Sequence, residues 1–181
     1  AELKHWFDTP ARLVRAMGRK VEAMSEEPQI LSPSVGWGVL HLFCKATSAL
    51  DLEAVRTAVK DMQSGDHQVV LASMLGHKAD ACFMALGPDL WQLRKFQTAI
   101  QAAGLQVVYS YVSMTEISEY AQNMTEGMKR PRLYPNLPPD GMKAFCFYPM
   151  SKRRGEINNW FTTDFDKRNE MMHEHGMSGR K

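Results

Sequence analysis

From Val35 to Glu116 the apolar residues of this chain switch back and forth between two periods, and that alternation limits the folds open to it. VGWGVLHLFCKAT reads as a buried strand, and DLEAVRTAVKDMQ then places Leu52, Val55, Val59 and Met62 on one helical face. HQVVLASMLG and ADACFMALG follow as two apolar strands separated by a His77-Lys78 turn. Pro88-Asp89 opens a second helix, with Leu90, Leu93, Phe96 and Ile100 on one face and Gly104 as its stop. QVVYSYVSM closes the set as a strand. The order is β-α-β-β-α-β over residues 35–116, the ferredoxin-like arrangement, so the expected fold class is α+β.

The flanks read differently. Residues 1–34 form an N-terminal extension in which Thr9-Pro10 can start a helix. Leu13, Met17, Val21 and Met24 recur there at helical spacing among Arg12, Arg15, Arg19 and Lys20. Such a basic amphipathic helix could touch a membrane or a partner, but more often it packs its apolar stripe on its own domain. Residues 117–142, with Pro131, Pro135, Pro138 and Pro139, read as a long linker loop. KAFCFYPM then reads as a strand, and TTDFDKRNEMMHEH as a helix with Thr163 as N-cap and Gly176 as terminator. A second repeat therefore begins at Lys143. If it needed as many residues as the first, it would end near position 225, about 45 residues past Lys181, so the second repeat is expected to be incomplete in this chain.

Composition narrows the function classes. With 44% hydrophobic and 23% charged residues, the chain is neither disordered nor fibrous, and a net charge of +2 does not mark a nucleic-acid binder. No apolar run reaches the roughly 18–20 residues that cross a bilayer, and AELKHWFDTP does not read as a secretory signal. Cys44, Cys82 and Cys146 lie in apolar runs without a C-x-x-C pair. They are expected to be buried reduced thiols, which points to a cytoplasmic location.

Chemistry concentrates near the C-terminus. Along an extended YPMSKRR, Tyr148, Met150 and Lys152 share a face. That face is either a pocket wall or an exposed sheet surface followed by a solvated basic turn. A phenol can give up an electron and a proton, and an ammonium can hold an anion. In MMHEHG, His175 lies four residues after Met171 and three after Met172, so it shares their apolar face, while His173 turns to water. A neutral imidazole so placed suits either a hydrogen-bonded core histidine or a haem-iron ligand. Arg132, Lys152, Arg153 and Arg154 could receive carboxylates or remain solvated charges. The chain has no G-x-G-x-x-G, P-loop, G-x-S-x-G or H-E-x-x-H, which leaves dinucleotide, NTP, serine-hydrolase and zinc-protease readings without support.

YPMSKRR, NNWF and the Met172–Arg180 segment resemble the coproheme decarboxylases of the chlorite dismutase-like superfamily. LGHKAD (75–80), YSYVSMTEISEY (109–120) and RLYPNLP (132–138) also look like that family, in the same order, so the resemblance covers residues 35–181. It implies two ferredoxin-like repeats joined as a dimeric α+β barrel, assembled as a homopentamer. It further implies a substrate, iron coproporphyrin III (coproheme), two of whose propionates are oxidatively decarboxylated to vinyls with hydrogen peroxide, giving haem b. By motif, Tyr148 would be the catalytic tyrosine, and Arg132 and Lys152 would bind propionates. Pro149, Met150 and Ser151 would line the porphyrin with them, His175 would be the proximal iron ligand, and Trp160 could relay an electron. The family's distal glutamine and a later porphyrin-contacting serine would fall beyond Lys181. Chlorite dismutase, another haem peroxidase, or a non-catalytic haem-carrying or oligomerisation module are the alternative readings.

Overall fold

A computed structural model describes residues 30–121, 124–152 and 154–178. The helix expected within the N-terminal extension, and Arg153 of the basic turn, lie outside the described residues. Strand β1 (Gly38–Ala46) leads to helix α1 (Leu52–Gln63), then to the hairpin β2 (Gln68–Ser73) and β3 (Ala81–Gly87). Helix α2 (Leu90–Ala102) and strand β4 (Leu105–Met114) complete the unit. The four strands form one antiparallel sheet in the order β2-β3-β1-β4. That is the mixed α+β, ferredoxin-like topology that the periodicity implies.

Local chemistry starts and stops both helices. Asp51 caps α1 by accepting from the backbone N–H groups of Glu53 (2.9 Å) and Ala54 (3.0 Å), and Asp89 caps α2 by accepting from Trp91 (2.8 Å). Beyond α2, Gly104 takes φ +84°, a left-handed turn where a side chain would also meet the backbone of Ala49. Val55, Ala58 and Met62 of α1 and Leu93, Phe96 and Ile100 of α2 pack on one sheet face, against Leu40, Leu42, Phe83 and Ala85. Leu52, expected on the same buried face, is exposed at the first turn of α1.

The opposite sheet face owes its character to an irregularity in β4. Phe43 pairs with Tyr109 but the next residue, Cys44, pairs with Val107, so Val108 is an extra residue in the ladder. Below that bulge, Leu105 and Val107 join the helix-side core. Above it, Tyr109 and Tyr111 stand opposite Phe43 and His41 on the other face.

The C-terminal third departs from its expected elements. KAFCFYPM is not a strand: residues 142–150 form no ladder, and among the described residues no strand lies alongside to take their backbone hydrogen bonds. Alternation nevertheless survives, since Phe145 and Phe147 pack on Phe43, Ala79 and Cys82. Cys44 and Cys82 are buried as expected, but Cys146 is exposed, having the opposite parity to those two phenylalanines. Residues 117–142 are more than a linker loop. They contain helix α3 (Glu126–Leu133), with Pro131 inside it, and are tied back to the sheet region. Thr115 Oγ1 donates to the Leu133 carbonyl (2.7 Å), and the Gln68 amide bonds both Pro135 O and Leu137 N at 2.8 Å. Helix α4 (Phe165–Ser178) begins later and ends later than expected. Thr163 closes a preceding 3-10 turn (Trp160–Thr162), and Gly176 lies inside the helix. Among the described residues no helix is long and apolar enough to cross a membrane.

Candidate functional site

Packing uses Phe145 and Phe147 and leaves their neighbours free. Tyr148 is 67% exposed and Met150 80%, and Pro149, Ser151 and Lys152 are exposed with them. Phe147 approaches His41 (4.7 Å between ring centroids), Phe43 (5.1 Å) and Tyr111 (5.7 Å). The segment 143–152 thus lies with its phenylalanines on the sheet and its phenol outward. Arg132, expected in a loop, sits on α3, where its guanidinium is exposed and donates to the Met128 carbonyl. Among the described residues, no hydrogen bond or ring contact joins Tyr148 to Arg132, Lys152 or His175.

Two of the expected residues do meet. The Lys152 ammonium lies 4.0 Å from the centroid of the Trp160 indole and 5.5 Å from that of Tyr120. Sequence alone gives Tyr120, the last residue of the YSYVSMTEISEY motif, no role of its own, yet it is the hub of this cluster. Its ring stacks on Phe165 (5.6 Å, 15°) and meets Trp160 edge-on (6.2 Å, 78°), and its hydroxyl accepts from Arg168 Nη1 (2.8 Å). Arg168 also pairs with Glu119 (2.7 Å) and donates through Nε to the Thr163 carbonyl (3.1 Å), with its side chain only 17% exposed. The hydrogen bond with Tyr120, and after it the charge and hydrogen bond of Arg168, hold the Glu119 carboxyl below its usual range. Residues 48 and 49 apart in sequence make these contacts, so no local pattern announces them.

An open cleft of about 670 Å³ adjoins the cluster, lined in part by Lys152, Asn159, Trp160, Asp164, Lys167 and Met171. Helix α4 buries none of its residues, so His173 and His175 are both exposed, and His175 does not occupy the buried face expected for it. The two still differ in direction. His175 follows Met171, a residue of the cleft wall, by one helical turn, and His173 is rotated well away from that row.

One buried polar atom remains unpaired on the sheet's aromatic face. His41 is buried beneath Phe145 and Phe147, its Nδ1 lacks a hydrogen-bond partner, and burial lowers its pKa, with the backbone of Tyr111 opposing in part. Unfolding releases the imidazole to its ordinary value, near 6.5, so the unfolded chain takes up this proton first. The stabilisation is therefore complete above about pH 6.5 and is lost as the pH falls through the lower folded value. Urea midpoints should drop between pH 7.5 and 5.5 by more in the native protein than in His41→Phe, a comparison in which shared carboxylate effects cancel. Parallel curves would show that His41 is not the group responsible.

Known proteins share this fold. A family model described as chlorite dismutase matches residues 49–181. The chain is 37% identical over 134 residues to the coproheme decarboxylase of Staphylococcus carnosus, an alignment covering 68% of this chain and 52% of that protein. It thus spans about half the length of that relative. The coproheme decarboxylase of Staphylococcus saprophyticus is 33% identical over 185 residues, covering 87% of this chain and 72% of that protein. Among solved structures, a heme-binding protein from Thermus thermophilus superposes with a TM-score of 0.66 at 28% identity, covering 84% of this chain and 71% of that one. A family model that spans most of the chain, together with relatives above 30% identity, agrees with the sheet order and with the ordered motifs: the chain belongs to the chlorite dismutase family.

Proposed function

We propose that this chain carries the tyrosine and the iron-binding histidine of a coproheme decarboxylase, the enzyme that converts two propionates of iron coproporphyrin III to vinyls and so makes haem b. The observation that carries this reading is the division of labour along residues 143–152. Phe145 and Phe147 supply the packing, so Tyr148 and Met150 are spare for a ligand. The names of the two staphylococcal relatives support the substrate. In this reading residues 35–116 are the first repeat and residues from 143 the start of the second, in a homopentamer located in the cytoplasm.

Each decarboxylation balances as propionate, one proton and one hydrogen peroxide going to vinyl, carbon dioxide and two waters. The side chain is oxidised by two electrons and the peroxide is reduced by two. When bound, the iron porphyrin would supply the oxidising equivalents of peroxide, and the chain's own residues would direct them. Tyr148 would give up its hydroxyl hydrogen and take one from the propionate's β-carbon, which removes one electron and one proton. The second electron would leave the side chain to the remaining oxidising equivalent of peroxide as carbon dioxide departs. Lys152 and Arg132 would hold carboxylates, and His175, exposed on α4, would bind the iron.

The test is to titrate the protein with coproheme, add peroxide and separate the porphyrins by chromatography. Conversion to haem b is the expected result; coproheme recovered unchanged overturns the reading. His175→Ala should abolish the Soret shift on titration and His173→Ala should keep it. The opposite pattern would move the ligand to His173.

A further inference from the structure

Lys152 is held without being neutralised. A lysine side chain loses several freely rotating bonds when a partner orders it, and most ordered lysines are ordered by a carboxylate that also cancels their charge. Here the nearby carboxylate, Glu119, feels the charge of Lys152 but forms its ion pair with Arg168 at 2.7 Å, and among the described residues Lys152 itself makes no ion pair. What orders its ammonium is the faces of Trp160 and Tyr120, at 4.0 and 5.5 Å. Ring faces attract a cation but leave its charge and its N–H donors largely available. Tyr120 is itself fixed on three sides: by Phe165 stacked on its ring, by Trp160 against its edge and by the Arg168 guanidinium on its hydroxyl. Arg168 is anchored in turn on the Thr163 carbonyl just before α4.

We propose that Tyr120, braced by Arg168, is a positioning residue for Lys152: together with Trp160 it presents a pre-ordered, unneutralised ammonium at the cleft to a carboxylate of the ligand. This deepens the coproheme reading and rests on it, the carboxylate being a propionate. Arg168 has two effects at once. It removes Glu119 as a competitor for Lys152, and it fixes the ring that Lys152 rests on. The Tyr120 side chain therefore acts on affinity through Lys152 and not by touching the ligand.

Two measurements test this. In the unliganded protein, the side-chain methylene protons of Lys152 should resonate upfield, shielded by the Trp160 ring. Tyr120→Leu should return them toward ordinary lysine positions, and Tyr120→Phe, which keeps the ring, should preserve most of the shift. In coproheme titrations, Lys152→Met should weaken binding about ten-fold, the loss of one charge-assisted contact, and Tyr120→Leu should weaken it by part of that. In the Lys152→Met background, Tyr120→Leu should then cost nothing more, because its effect runs through a side chain already gone. Near-ultraviolet circular dichroism on every variant separates these losses from misfolding. Independent, multiplying losses in the double variant, or unshifted Lys152 protons in the native protein, would overturn the positioning role alone. A native protein that binds no coproheme overturns the functional reading, and this inference with it.

Discussion

Tyr148→Phe should bind coproheme as the native protein does and yet form little or no haem b when peroxide is added. Exposure of the side chain makes this a clean substitution: at 67% exposed, the phenol contributes little packing, and phenylalanine keeps the ring. What disappears is the O–H, the group through which Tyr148 releases an electron and a proton together. Without it the oxidising equivalent of peroxide has no route to the propionate, and the expected loss of conversion is about 10²-fold or more, the scale on which removal of a group that moves a proton in the rate-limiting step is felt. Separation of coproheme, the three-propionate intermediate and haem b after a fixed peroxide dose measures it. Near-normal yields from Tyr148→Phe would remove tyrosine from the mechanism while leaving fold and ligand untouched.

The largest effect on stability should come from Phe83→Ala. Phe83 is 2% exposed in the middle of β3, packs edge-on against Phe96 of α2 (6.1 Å between centroids), and sits among Leu40, Leu42, Ile100 and Leu105. Strand ladders hold its backbone on both sides, so the surroundings have little freedom to collapse into the space left behind. Deleting a ring from such a site costs about 3–5 kcal/mol, the transfer and cavity contributions together. Leu71→Ala, on the neighbouring strand β2 and largely exposed, should stay within about 0.5 kcal/mol. Urea denaturation of the two variants checks the contrast, and a Phe83→Ala cost below about 1 kcal/mol would mean that the helix layer repacks freely.

How much of this is legible in the sequence depends on the range of the contacts involved. The first repeat is readable because its signals are local: apolar period, Asp51 and Asp89 as caps, Gly104 as a stop. KAFCFYPM carries the same alternation, and parity alone separates its inward phenylalanines from Tyr148, but strand formation is a property of a pair and its partner is not beside it. Helix α3 is hidden by Pro131, which removes only one hydrogen bond from an eight-residue helix and leaves the remaining turns able to form. At the site, Lys152 and Trp160 stand out from motifs and do come together. Tyr120 and Glu119 end a motif but are given no role by it, and Arg168 does not stand out; each acquires a role only when residues 48 and 49 apart are brought into contact.

The extra residue in β4 amounts to a change of phase. Up to Val107 the odd-numbered positions of that strand belong to the helix-side core; from Tyr109 onward odd-numbered positions belong to the aromatic face that Phe147 covers. One strand therefore serves a buried core on one side and a half-open aromatic surface on the other, and a single backbone position decides where one ends and the other begins. A regular strand of the same sequence would put Leu105, Val107, Tyr109 and Tyr111 all on one side. It would have to send both tyrosines among the helices or withdraw Leu105 and Val107 from them. Shortening the chain by Val108 alone has the opposite effect: ordinary alternation would then carry Val107 to one side and Tyr109 to the other, with the core and the aromatic surface both still furnished. Removing Gln106 instead would turn Leu105 over and empty its place in the core. Tolerance of a deletion in this strand is thus a matter of which beat is dropped, and the strand has one beat to spare.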